Sequence, residues 1–390
     1  LAMVVGGAFF LVTQIRMAAD DRSPLIGAAV DPVAAASERI VPLAAGSNLP
    51  PAGRSLFDQL ARNNDGSGWR IPFPFSKLRS SLAQAGGCTK DCYQAVLIPL
   101  GRSLQRTAAA PDFFKFPRQV IAFNGEAYRR GNFPLLKDRL YLGYQEKANL
   151  IEIISFNETA GRFEFQVVKN YDAGNEPQVF YANRSVCVSC HQNQAPIFSR
   201  QVWDETNANP DIAKRLTDAG GVADGLPIRI GVDVPNAVDD ATDRANLLAA
   251  YQWLWRDGCA DSRRCRARAL AAALQYRLTG ERSFDFQSVR FREDFLEPFE
   301  KNWRFRWPNG LKIPSNDIPN RDPLQVADSE RLAHVPARFE ALQPRGHKEI
   351  WQWDTDRFRL IKGIGEFFSA QDIGLIARTL KIAVNSKAGA

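Results

Sequence analysis

Methionine and histidine are the scarcest ligand-forming side chains of this 390-residue chain. The two methionines, Met3 and Met17, both lie close to the first residue, so no thioether ligand is available in the rest of the chain. Histidine occurs only as His191, His334 and His347. Metal or redox chemistry in the body of the protein must therefore draw on these three imidazoles and on other ligand types.

Other missing features exclude whole classes of function. No long run of Lys or Arg is present: 50 basic residues stand against 43 acidic ones, which gives a net charge of +7. This mixture favours a solvated surface over a nucleic-acid-binding stripe, so no nucleic-acid partner is expected. The glycines of "GVADGLPIRIG" do not have the order of a phosphate-binding loop. With 45% hydrophobic residues, the chain can build a large core without disulfide staples.

The N-terminal segment predicts export. Residues 1–12 are apolar or small, and Arg16 follows. We interpret residues 1–19 as a signal peptide or membrane anchor and residues 20–53 as an Ala/Pro-rich tether. The expected location is the periplasm, either free or anchored to the membrane and facing the periplasm. Membrane association would then run through this segment.

The six cysteines fall into three local pairs. Two of the pairs, in "GGCTKDC" and "DGCADSRRC", have no neighbouring histidine and lie in turn-like, charged stretches. In an oxidising compartment, these spacings predict short disulfide loops, Cys88–Cys92 and Cys259–Cys265.

Alternating apolar residues predict an antiparallel β-meander in the region 54–182. Its strands are "RLYLGYQ", "NLIEIISF", "RFEFQVV" and "QVFYA", with "NETAG" as a hairpin loop. We also expect helices over 54–63 and in "DCYQAVLIPLGRSLQR".

The chain after residue 183 has mainly helical patterns. Helices are predicted in "DDATDRANLLAAYQWLWRDG", in "RRCRARALAAALQYRLTG", and in "SAQDIGLIARTLKIAV" with its capping box. The aromatic, proline-rich stretch that begins "FREDFLEPFEKNW" is interpreted as long packed loops. The two regions together predict an α+β fold.

The stretch "SVCVSCHQNQ" combines rare residues at close spacing. Two thiols three positions apart, Cys187 and Cys190, suit thioether bonds to the two vinyl groups of a haem, and His191 can then ligate the iron. Two alternatives remain. One is a thioredoxin-like dithiol, and the other is a zinc site in which Cys88 and Cys92 supply two further thiolates.

The motif "CVSCH" resembles that of c-type cytochromes, and "LIKGIGEFFSAQDIGLIARTLK" is similar to the C-terminal helix of class I cytochromes c. The similarity covers residues 183–200 and 355–385, with a long insertion between them. It implies one covalent haem c attached at Cys187 and Cys190, with His191 as the proximal ligand. It also implies a mainly helical, cytochrome c-like haem-binding region over 183–390, although 54–390 can equally form one compact unit.

The sixth iron ligand departs from the family pattern, because the body of the chain has no methionine. The candidates are His334 in "RLAHVPARF", His347 in "PRGHKEIW" and, as a minor candidate, Lys362 in "LIKGIGEFF". The remaining option is an open distal face.

The expected function is one-electron transfer by an exported monohaem c-type cytochrome that works with a redox partner protein. One alternative is a haem enzyme with an open distal site, acting on peroxide, oxygen, nitric oxide or an apolar substrate. Another is a structural subunit of a membrane-associated complex. Whether the protein is an enzyme stays open at this stage.

Overall fold

The predicted β-meander forms the centre of the fold. In the computed structural model, six strands pair in chain order as one antiparallel sheet. The strands are β1 (Tyr93–Ile98), β2 (Arg118–Phe123), β3 (Leu140–Gln145), β4 (Leu150–Asn157), β5 (Arg162–Lys169) and β6 (Gln178–Tyr181). The structure describes residues 53–63, 65–125, 136–199, 205–220, 222–228, 234–280, 284–319, 321–325 and 341–384. These residues all belong to one compact unit.

The helix predicted in "DCYQAVLIPLGRSLQR" is wrong, because Tyr93–Ile98 is strand β1. Val96 and Leu97 are both buried although they are adjacent, so both faces of this segment meet apolar neighbours. Such a short apolar run fits a helix or a strand equally well in the sequence. The segment is a strand because it pairs with β2 along the whole length of β1.

Both faces of the sheet are covered. On one face lie α1 (Leu56–Ala61), which confirms the helix predicted over 54–63, and α2 (Phe75–Ala85). Phe57 and Phe75 pack there against Leu142 and Ile151 in one buried cluster. Every residue of β3 is buried, because the opposite face also packs against other elements.

The chain after β6 is mainly helical, so the predicted α+β class is confirmed. The helices are α3 (Arg184–Cys190), α4 (Pro210–Asp218), α5 (Val234–Gly258), α6 (Arg263–Thr279), α7 (Val289–Phe291), a π-helical turn (Arg292–Leu296), α8 (Glu297–Arg306), α9 (Trp353–Gly365) and α10 (Ala370–Leu380). Short strands between them are β7 (Phe198–Ser199), β8 (Val222–Ala223), β9 (Leu226–Pro227), β10 (Leu311–Pro314), β11 (Asp317–Ile318) and β12 (His347–Trp351). Helix α10 begins with the predicted capping box of Ser369 and Asp372.

Part of the stretch that we interpreted as packed loops is helical, over residues 289–306. Its buried aromatic residues, Phe291, Phe295, Phe299 and Trp303, recur every four positions and pack into one cluster. This spacing places them on one helix face. Pro298 is the second residue of α8, which follows the π-helical turn directly.

The structure joins Cys88 to Cys92 and Cys259 to Cys265, the two pairs that the sequence predicted. The second pair links the end of α5 to the start of α6. The predicted leader (1–19) and most of the tether (20–53) lie outside the described residues. Within the described part, no helix is both long enough and apolar enough to cross a bilayer.

A candidate haem site beside the CVSCH helix

Helix α3 carries the motif, and its first turn is fixed to the sheet. Asn183 caps the helix by accepting a hydrogen bond from the backbone N–H of Ser185 at 3.1 Å. The Arg184 guanidinium donates to the carbonyl of Phe163 on β5 at 2.8 Å and to the Gln194 side chain at 3.0 Å. The start of α3 therefore cannot shift without breaking contacts to β5 and to the loop that follows the motif.

The last turn of α3 is held by a segment far away in the sequence. The Arg345 guanidinium donates to the carbonyl of Cys190 at 2.6 Å and to that of Ala341 at 2.9 Å. The Gln192 side chain donates to the carbonyl of Gln343 at 2.9 Å. A cation at the carbonyl end of a helix also interacts favourably with the helix dipole. Both ends of the motif are thus positioned by well-defined partners.

Cys187 and Cys190 are three positions apart on this helix, so they share one face and both line the same cavity. They are not joined by a disulfide. Burial raises the pKa of Cys187 to about 12, and the negative charge of Glu152 acts in the same direction. The Cys187 thiol is therefore protonated at neutral pH. Redox-active dithiols instead have a lowered pKa, typically at a helix N-terminus, whereas Cys187 is the middle residue of α3 and Cys190 is its last.

His191 is held in the form that ligates metals. Its Nδ1 lies 3.0 Å from the carbonyl oxygen of Ala195. A carbonyl only accepts, so Nδ1 carries the hydrogen, and the lone pair is left on Nε2. Burial lowers the pKa of His191 to about 4, and the ring is therefore neutral at physiological pH. A backbone carbonyl on the second ring nitrogen is the usual arrangement for a histidine that binds metal.

The cavity beside α3 has an apolar wall. The sheet forms one wall, with Val120, Ile154, Phe165 and Val167 as apolar lining residues. The Phe165 ring also packs against His191, with 5.4 Å between the ring centroids. Further walls come from residues 98–106, residues 196–198 and α5.

One ion pair interrupts the apolar wall. Arg118 on β2 donates to Glu152 on β4 at 2.6 Å, and both side chains are about one-fifth exposed. The intervening strand β3 has Gly143 opposite Glu152, and a Cβ at this position would overlap the Arg118 guanidinium. The missing side chain of Gly143 therefore makes room for the ion pair.

The predicted sixth ligands are not brought together with His191 in the described part of the chain. His347 is exposed at the start of β12, where it pairs with Pro314, and Lys362 is exposed on α9. Neither residue lines the cavity. His334 lies outside the described residues, although Ala341, seven positions later in the sequence, is a lining residue.

The zinc alternative loses two of its four ligands, because Cys88 and Cys92 form a disulfide. Within the described ranges, no group of three or more His, Cys, Asp or Glu side chains could hold a metal ion. A haem needs only one of these side chains as its proximal ligand, so this result does not bear on the haem prediction.

Sequence reasoning missed the cavity and its polar residues. The sequence could have indicated Glu152, since it is the only charged residue within the strand "LIEIISFN". It could not have indicated Arg118, because strand β2 was not predicted. Arg345 lies 155 positions from the carbonyl that it contacts.

Comparisons with protein-family models, with curated proteins and with solved structures found no match to this chain.

Proposed function

We propose that the protein binds one haem c covalently through Cys187 and Cys190, with His191 as the proximal iron ligand, and that it transfers single electrons. The observation that carries the proposal is the state of His191. The ring is neutral, its Nδ1–H is directed to the Ala195 carbonyl, and it lines the same cavity as both thiols. None of this follows from the spacing of the motif alone.

The residues of the cavity fit such a group. The sheet wall of the cavity is mostly apolar, and the protonated Cys187 thiol suits addition to a vinyl group. When bound, the haem would supply an iron that changes oxidation state by one electron.

The roles of the protein residues follow from their contacts. The Ala195 carbonyl orients the imidazole and makes it a stronger donor. Arg345 and Arg184 fix the two ends of α3, so the thiols and the imidazole keep their relative positions. The apolar wall excludes water from one side of the cavity. A rigid, dry site limits the rearrangement that accompanies a change in iron charge.

A second candidate function is a haem enzyme whose iron binds a small oxidant. One observation favours it. Apart from the motif itself, the cavity lining in the described part of the chain contains no His, Met, Cys or Lys. An iron without a strong protein ligand on its second face would be open to peroxide, oxygen or nitric oxide.

The ferric absorption spectrum separates the two functions. We expect low-spin iron if His334 ligates from the segment outside the described residues, and His334→Ala should then give a high-spin spectrum. His347→Ala is the matched control and should change little, because His347 is exposed and remote from the lining. If neither variant changes the spectrum and cyanide binds readily, electron transfer through a closed site is refuted and the enzyme is favoured.

The location and partner follow from the same proposal. Haem attachment through cysteines fits an exported protein, either in the periplasm or anchored there by its N-terminal segment. The net charge of +7 suits a redox partner with an acidic surface. Fractionation of cells that express the full chain tests the location, and recovery in the cytoplasm would contradict it.

A further inference from the structure

The two disulfides in the described part of the chain differ in burial. Cys259 and Cys265 are 0% and 3% exposed and belong to the aromatic cluster of the helical part. Cys88 is 6% exposed, whereas Cys92, which directly precedes β1, is partly exposed. The rate of thiol–disulfide exchange depends on access to the sulfur that is attacked. Of the two bonds, Cys88–Cys92 is therefore the one open to exchange in the folded protein.

The loop that this bond closes projects into solvent. Its three residues, Thr89, Lys90 and Asp91, are all exposed. On the opposite side, the Cys88 sulfur lies against the backbone of Gly125, where an added Cβ would overlap it. A reacting partner therefore has to approach over the exposed loop and not from the side of Gly125.

Backbone hydrogen bonds hold each cysteine in place independently of the disulfide. The Cys88 N–H donates to the carbonyl of Ala83, in the last turn of α2, at 2.9 Å. The Cys92 carbonyl accepts from the N–H groups of Asn124 and Gly125, just after β2, both at 3.1 Å. Separation of the two sulfurs breaks none of these bonds. Reduction therefore does not require unfolding, and the two thiols stay close enough to rejoin.

We propose that Cys88 and Cys92 form a reversible redox site whose partner is a protein dithiol, and that Cys259–Cys265 is purely structural. Exposed disulfides are the labile and regulatory ones, whereas structural disulfides resist reduction. A thiolate of the partner attacks the Cys92 sulfur, the bond to Cys88 breaks, and the Cys88 thiolate takes up a proton. The second thiol of the partner then attacks the mixed disulfide, and Cys92 leaves and is protonated. The chain gains two electrons and two protons, and the partner becomes a disulfide.

This redox site does not depend on the proposed haem. Neither Cys88 nor Cys92 belongs to the cavity lining or to the CVSCH motif. The site adds a two-electron group to the chain, and a protein that attaches no haem would still carry it.

Graded reduction of the folded, full-length protein tests the proposal, with Cys259–Cys265 as the control in the same chain. Air-oxidised protein is incubated with increasing concentrations of dithiothreitol, and the new thiols are alkylated. The remaining disulfides are then opened and labelled with a second reagent. Trypsin cuts after Lys90, so Cys88 and Cys92 are measured on separate peptides. Near-ultraviolet circular dichroism of each sample shows whether the protein is still folded.

We expect Cys88 and Cys92 to be alkylated together, at a dithiothreitol concentration about tenfold below the one that opens the control bond. The circular dichroism spectrum should stay unchanged, and oxidised glutathione should restore the bond. The proposal is overturned if both disulfides open together, if Cys88–Cys92 opens only when the protein unfolds, or if the bond does not form again.

Two single variants test which sulfur is attacked. In Cys88→Ser, the remaining Cys92 thiol is partly exposed and should react rapidly with a small aromatic disulfide reagent. In Cys92→Ser, the remaining Cys88 thiol is buried and should react more slowly. Equal rates, or a faster reaction at Cys88, would overturn the assignment of Cys92 as the sulfur that the partner attacks.

Discussion

The contact between Gly143 and Arg118 predicts that Gly143→Ala lowers the free energy of unfolding when Arg118 is present and raises it when Arg118 is replaced by Ala. In Gly143→Ala, the new methyl group would overlap the Arg118 guanidinium, which lies across β3 on its way to Glu152. The nearest neighbours of that methyl group are all atoms of the Arg118 side chain. The side chain can therefore move aside, and the expected damage is loss of the ion pair with Glu152 rather than unfolding of the sheet.

The size of the effect follows from two opposing contributions. A hydrogen bond between charged groups stabilises a fold by about 1.5–3 kcal/mol, and the partial exposure of this pair puts it near the lower end. Alanine in place of glycine inside a strand gains roughly 0.5–1 kcal/mol. Gly143→Ala should therefore lower the free energy of unfolding by about 1 kcal/mol. In an Arg118→Ala background, where the clash and the ion pair are both absent, the same substitution should raise it by roughly 0.5–1 kcal/mol.

Urea denaturation of the four proteins in this cycle measures both values. Gly346→Ala is the control, because a Cβ at Gly346 meets no atom within 4 Å, and it should change stability little. If Gly143→Ala is equally destabilising with and without Arg118, the guanidinium is not the group that requires a glycine at this position.

Two further predictions concern the helical part. Gly363→Ala should lower the free energy of unfolding by about 1–3 kcal/mol, because its methyl group would overlap the Tyr251 ring between α9 and α5. Gly374→Ala should instead raise the free energy of unfolding by roughly 0.5–1 kcal/mol, because its methyl group would meet no atom closer than 3.4 Å. Equal urea midpoints for the two variants would contradict this prediction. Replacing Cys259 and Cys265 together by Ala should lower the thermal midpoint, since a disulfide loop of this size contributes about 2 kcal/mol in the chain-entropy model. An unchanged midpoint would show that the bond is absent in the purified protein.

The sequence was sufficient to predict the elements whose pattern is local. The segments of β3 and β5 place apolar residues at every second position, and the capping box of α10 is complete within four residues. The two disulfides join cysteines that are only four and six positions apart. The motif residues also lie within five consecutive positions, so the candidate attachment points and the proximal ligand needed no tertiary information.

The features that determine the cavity depend on distant parts of the chain. Arg118 and Glu152 are 34 positions apart, and Arg345 contacts α3 across 155 positions. Strand β1 was misread because its pairing with β2, rather than its own pattern, decides its conformation.

The mass of one tryptic peptide shows whether haem is attached to the CVSCH motif. The peptide from Ser185 to Arg200 contains both Cys187 and Cys190. In protein made by a host that attaches haem to exported proteins, this peptide should carry the added mass of one haem and keep it after acid–acetone extraction. In the double variant Cys187→Ala, Cys190→Ala, acid–acetone extraction should remove all haem colour from the protein. An unmodified mass for the wild-type peptide, from correctly folded and exported protein, would contradict haem attachment at this site.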